Sequence, residues 1–102
     1  MVENRAVLET FELLERRWAL RLVWELRRDS LTFGELRLAI GMSSSVLTQR
    51  LDELTRTGVV ERAPGRHYRL SRAGRELARV LYELNGWAEA HRHGGGGVSS
   101  LG

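Results

Sequence analysis

The feature that most narrows what this chain can fold into is a run of helix stop and start signals around Gly41-Met42-Ser43. Thr32-Phe33-Gly34-Glu35 has the capping-box form, in which a Thr hydroxyl accepts from the amide three residues on and a Glu carboxylate reaches back. The spacing predicts a short helix over 33–40 that buries Leu36 and Ile40, with Gly41 as its stop. Ser43 then caps a second helix over 44–57, ended by Gly58. Two short helices across a three-residue turn read as a helix-turn-helix.

The flanking segments supply the rest of a small domain. Asn4 can cap a helix over 5–14 with Val7, Leu8, Phe11 and Leu14 at helical spacing. A helix over 18–28 is apolar nearly all round and should form the buried centre. Glu15-Arg16-Arg17 either breaks these two apart or leaves one long helix, and nothing in the three residues forces the break. After Gly58 the period changes. Residues 59–62 and 67–70 read as short strands around Ala63-Pro64-Gly65-Arg66, with Pro-Gly suited to the centre of a type II turn. Ser71 caps a last helix over 72–91, whose stripe is Ala73, Leu77, Val80, Leu81, Leu84, Trp87 and Ala88. Residues 94–102, GGGGVSSLG, are expected to be a disordered tail, which leaves one domain over 1–93. The expected class is mainly α: about five helices and a two-stranded β-hairpin.

Composition removes several functions. With 102 residues there is room for one domain, and with no cysteine there is no thiolate nucleophile, thiol switch or Cys-ligated zinc. No strictly apolar run exceeds three residues, as in Leu22-Val23-Trp24, which is too short to span a bilayer. The first residues lack a signal peptide's apolar stretch, so a cytoplasmic location is expected. No Ser/His/acid spacing, Gly-rich phosphate loop or paired carboxylates suggest catalysis, so neither an enzyme nor a cofactor is expected. His91, Arg92 and His93, with Glu89 nearby, do not present a shared helical face, and no metal site is expected. Trp18, Trp24 and Trp87 read as core or interface aromatics before they read as the lining of a ligand pocket.

The charge is uneven. All sixteen basic residues are arginine, and the formal net charge is +3. Residues 1–49 carry seven Arg and seven acids, whereas 50–79 carry eight Arg and four acids. The basic excess therefore falls on the second half of the helix-turn-helix and on the hairpin. A helix-turn-helix followed at once by a hairpin is the winged-helix arrangement. Its second helix fits a major groove about 12 Å wide, and an Arg-tipped hairpin can reach phosphates or the minor groove.

At 100° per residue, Leu47, Leu51 and Leu54 define the core face of the helix over 44–57. Ser45 and Gln49 lie opposite, flanked by Thr48, near the end that enters the groove in this motif. Gln pairs with adenine, Ser and Thr with several bases. Ser43, Ser44 and Ser45 can offer hydroxyls and helix-end amides to phosphate. Arg50, about 60° from the core stripe, is expected to meet an acid or a phosphate rather than a base edge. Arg62, Arg66 and Arg69 are the wing candidates, with Arg66 beside the turn foremost.

Several segments together resemble the HxlR-type branch of the MarR-like winged-helix regulators, over about residues 7–91. They are Arg17-Trp18-Ala19-Leu20, Trp24-Glu25-Leu26, Phe33-Gly34-Glu35-Leu36-Arg37 and the stretch from Val46 to Leu54 (VLTQRLDEL). Gly58-Val59-Val60-Glu61-Arg62 and the stretch from Tyr68 to Arg75 (YRLSRAGR) complete the match. The resemblance implies a homodimeric bacterial repressor or activator. Many members of that family carry a sensing cysteine at the start of the first helix. Arg5 stands at about that place here, so thiol sensing does not carry over. Glu15 and Arg16 replace the usual glycines before the family's Trp, and the wing tip is shorter than usual.

The expected partner is double-stranded DNA with a near-palindromic site, read by a homodimer. Val7 and Phe11 of the first helix, with Leu77, Leu81, Leu84 and Trp87 of the last, are the expected interface. The competing readings are a winged-helix module that binds another protein, and a regulator whose small-molecule pocket lies at the dimer interface.

Overall fold

The structure is a computed structural model, described over residues 4–92. The Gly-rich tail, His93 and the expected domain end at 93 lie outside the described residues. Eight elements follow in chain order: α1 (Arg5–Leu14), α2 (Ala19–Glu25), β1 (Leu31–Thr32), α3 (Phe33–Ile40), α4 (Ser44–Arg56), β2 (Val60–Ala63), β3 (His67–Leu70) and α5 (Arg72–His91).

The caps of α3, α4 and α5 form where the sequence calls for them. Thr32 Oγ1 accepts from the Glu35 amide at 3.1 Å, and Glu35 Oε1 accepts from the Thr32 amide at 2.8 Å. That second bond favours the ionised carboxylate, so the backbone amide of Thr32 holds the Glu35 carboxyl below its ordinary range. Gly41 closes α3 in the left-handed conformation, with φ 79°. Ser71 Oγ accepts from the Gly74 amide at 3.0 Å and starts α5.

Three local expectations are corrected, and one left open is decided. Asn4 makes no side-chain cap bond to α1. The chain does break between α1 and α2, and the residue that turns it is Trp18, with φ 78° and ψ −7°. Left-handed backbone at a bulky residue costs on the order of 1–3 kcal/mol. Packing of the Trp18 indole against the core offsets that cost. Next, α2 ends at Glu25 rather than at 28; beyond it the Arg27 amide turns back to the Trp24 carbonyl at 3.2 Å, and the Arg27 guanidinium donates to the same carbonyl at 2.7 Å and lies 3.9 Å from the Trp24 ring. Finally, the hairpin gains a third strand. β1 pairs antiparallel with β3, Leu31 opposite Tyr68 and Thr32 opposite His67, giving the order β1-β3-β2.

The core lies under the helix-turn-helix. Leu22, Val23, Leu36, Leu47, Leu51, Leu54 and Val60 are fully buried. α5 reaches this core through Gly74, Ala78 and Leu81. A Cβ at Gly74 would fall 2.1 Å from the Val59 carbonyl oxygen, so only glycine lets α5 start this close to the chain that leads into β2. No described helix is long and apolar enough to cross a membrane.

Candidate nucleic-acid interface

α4 presents two chemistries on two faces. Leu47, Leu51 and Leu54 fill the core, while Ser43, Ser44, Ser45, Thr48 and Gln49 are exposed at or near its N-terminal end. Ser43 Oγ accepts from the Val46 amide at 3.3 Å and lies 3.4 Å from Ser45 Oγ. The cap thus uses one hydroxyl of the serine run. The arrangement leaves a polar, hydrogen-bonding helix end beside the outward Gln49, with Asp52 exposed further along.

Arg50 is not part of that surface. Its side chain is 14% exposed. Nε donates to the Arg17 carbonyl at 2.8 Å, and Nη1 donates to Glu53 Oε1 at 3.3 Å. The expected acid partner is there, and both bonds hold the guanidinium toward Glu53 and the segment before α2. Its proximity to the core stripe was the available signal; the second acceptor lies on a segment 33 residues away.

The three wing arginines differ in how free their charge is. Arg69 Nε pairs with Glu61 Oε2 across the strands at 2.7 Å. Arg62 lies 5.0 Å from the centroid of the Tyr68 ring. Arg66 is exposed at the tip and forms no ion pair among the described residues. The turn holds Gly65 at φ 76°, as a type II turn requires, and Arg66 follows at φ 60°. Two successive left-handed residues fix the direction of the tip. At its base, His67 Nδ1 and Ser30 Oγ share a hydrogen bond of 3.0 Å that ties β3 to the segment before β1.

The expected interface residues divide. Val7, Phe11, Leu84 and Trp87 are 41–53% exposed. Leu81 is buried in the protomer's core, while Leu77 is only partly buried against it and lies one heptad before the exposed Leu84, on the same side of the helix. The physical reason is angular. Residues 74, 78 and 81 share one face of α5, while Val80, Leu84 and Trp87 form a second stripe beside it. Leu8 and Tyr82 are further exposed apolar residues the expectation missed. Leu8 was legible as part of the α1 stripe. Tyr82 was not, since its place is set by tertiary contacts: its ring centre is 5.4 Å from that of Trp24, and a hydrogen bond from Arg28 holds its hydroxyl below the usual phenol range. An apolar cleft of about 350 Å³ runs between α2 and α5, lined by Leu20, Trp24, Leu81, Leu84 and Ala88, with Arg21 and Asn85 at its polar edge. Trp24 thus lines a cleft, Trp18 packs on the core and Trp87 is exposed.

The HxlR-like helix-turn-helix family matches residues 13–94, a span that holds α2, the helix-turn-helix, the wing and α5. The chain belongs to this family. It is 37% identical over 84 residues to YvaP of Bacillus subtilis (strain 168), an uncharacterized HTH-type transcriptional regulator, covering 76% of this chain and 78% of YvaP. Among solved structures, quinone-bound YodB from B. subtilis superposes with a TM-score of 0.76 at 30% identity, covering 83% of this chain and 96% of YodB. A MarR-family regulator from Enterococcus faecalis V583 gives 0.77 at 27% identity, covering 96% of each chain. The chain is therefore a helix-turn-helix transcriptional regulator of the HxlR/MarR type, and DNA binding comes with the family. The resemblance drawn from its sequence motifs holds.

Proposed function

We propose that this HxlR-type chain acts as a homodimer on a near-palindromic DNA site. α4 enters the major groove with Ser45, Thr48 and Gln49 toward base edges, and Ser43 and Ser44 toward phosphate. The wing lies on the backbone or in the minor groove, led by Arg66 and helped by Arg62 and Arg69. Val7, Phe11, Leu84 and Trp87 join the two copies, with Leu8 and Val80 beside them. One observation carries the reading. The exposed groups of α4 are polar, whereas the large apolar side chains left exposed concentrate on α1 and α5. One winged helix buries too little surface for tight specific binding, and a two-fold partner supplies the second half-site about one DNA turn away.

The test is a footprint on DNA selected by the chain from random sequence, paired with sedimentation of the free protein. A two-fold symmetric footprint and a dimer at micromolar concentration are expected. A sedimenting monomer with a single-half-site footprint overturns the reading.

A further inference from the structure

Arg50 sits where three parts of the molecule meet. From the second turn of α4 it donates through Nε to the Arg17 carbonyl, in the four-residue elbow between α1 and α2. Through Nη1 it donates to Glu53, whose other carboxylate oxygen lies 3.7 Å from Arg16 Nη1 in the same elbow. Arg50 and Glu53 are both well shielded, at 14% and 16% exposed, so water competes little for these bonds. The elbow is itself over-determined. Trp18 holds φ 78°, the Ala19 amide donates to the Arg16 carbonyl at 3.1 Å, and the Arg17 guanidinium lies 5.0 Å from the Trp18 ring centre. Residues 15–18 are the covalent link between α1 and the body. The direction of α1 and the tilt of α4 are thus tied through one arginine and one glutamate.

We propose that Arg50 is a positioning residue that fixes the tilt of α4 against the α1–α2 elbow and so sets the half-site spacing the regulator accepts, without touching DNA. This rests on the dimeric reading above. In such a dimer the elbow stands between the pairing helices and the reading helix. One base pair of spacing displaces a half-site by about 3.4 Å along the axis and turns it by about 35°, so discrimination between neighbouring spacings requires α4 to be held in both position and direction.

The experiment uses the full chain and duplexes carrying the half-sites recovered by in vitro selection with the parent. Their separation is set at the selected value, or one or two base pairs longer or shorter. The parent is expected to favour one spacing. Arg50→Met keeps the length of the side chain and removes both bonds. It should reduce that preference about tenfold, the scale of one charge-assisted link. It should leave the slope of log affinity against log salt unchanged. If Arg50→Met keeps the parental preference, or loses about one unit of salt slope as a missing phosphate contact would, the proposal fails while the dimer stands. A parent that is indifferent to spacing overturns the dimeric reading as well. Should Arg50→Met not fold, by loss of its cooperative melting, Glu53→Ala carries the same expectation, and an unchanged spacing preference in it overturns the proposal.

Discussion

α1 and α4 are both amphipathic helices, and the apolar stripe of α1 is at least as one-sided as that of α4. They end in opposite states. α4 sinks Leu47, Leu51 and Leu54 into the core, whereas α1 buries no residue at all. Periodicity therefore identifies an apolar face without naming the surface that it will meet. The same lesson repeats within α5: of the stripe read from the sequence, Leu81 turns inward beside Gly74 and Ala78, which that stripe left out, while Val80, Leu84 and Trp87 turn out.

Five substitutions sharpen or break this contrast. The largest effect is expected inside. Leu51→Ala should cost about 2–5 kcal/mol in denaturant unfolding, as truncation of a fully packed leucine does. Phe11→Ala, measured on a chain held as a protomer, should stay within about 0.5 kcal/mol. Equal costs would mean that α1 serves the protomer's own core. Next comes Leu84→Asp, which puts a charge on the outward stripe. Sedimentation should find folded monomers, and binding to a symmetric site should weaken about 100-fold or more as the second half-site is lost. An unfolded product would assign Leu84 to the protomer core and move the interface elsewhere. Gln49→Ala tests the polar face of α4. A shift in preference of about 1–3 kcal/mol at one base pair is expected in a competition assay. Equal loss on specific and random DNA would show that Gln49 reads no base. The smallest effect is Arg66→Ala. Binding to all sequences should weaken alike, with the salt slope lowered by about one unit. Parental affinity at every salt concentration would remove the wing tip from the contact.

Much of the fold was legible because it is punctuated by side chains with local partners. Thr32 with Glu35, Ser43, Ser71 and Gly41 each act within a few residues of where they stand, and α3, α4 and α5 begin where the sequence placed them. Strands β2 and β3 followed from the change of period around Pro64-Gly65. The features that stayed hidden depend on distant residues. β1 is two residues long, too short for any alternation to register, and it exists because β3 offers an open edge. The break before α2 turns on a tryptophan, a residue with no intrinsic preference for left-handed backbone. For the site, the outward polar edge of α4 and the exposed wing tip could be read from angle and position. The engagement of Arg50 by Arg17 and of Arg69 by Glu61 could not, because one joins α4 to a distant inter-helix segment and the other depends on strand register.

Thr32 holds two offices at once. It is the last residue of β1, opposite His67 in the wing sheet, and the cap of α3 in the helix-turn-helix. No linker separates the wing from the helices, so neither can be reoriented without breaking a strand pair or a cap. The surface proposed to meet DNA is thus assembled beforehand, and its ordering entropy is already spent in folding. Association then carries no folding step within the body. Its heat-capacity change should match the apolar area the interface removes from water, without the larger excess that a segment folding on its target would add.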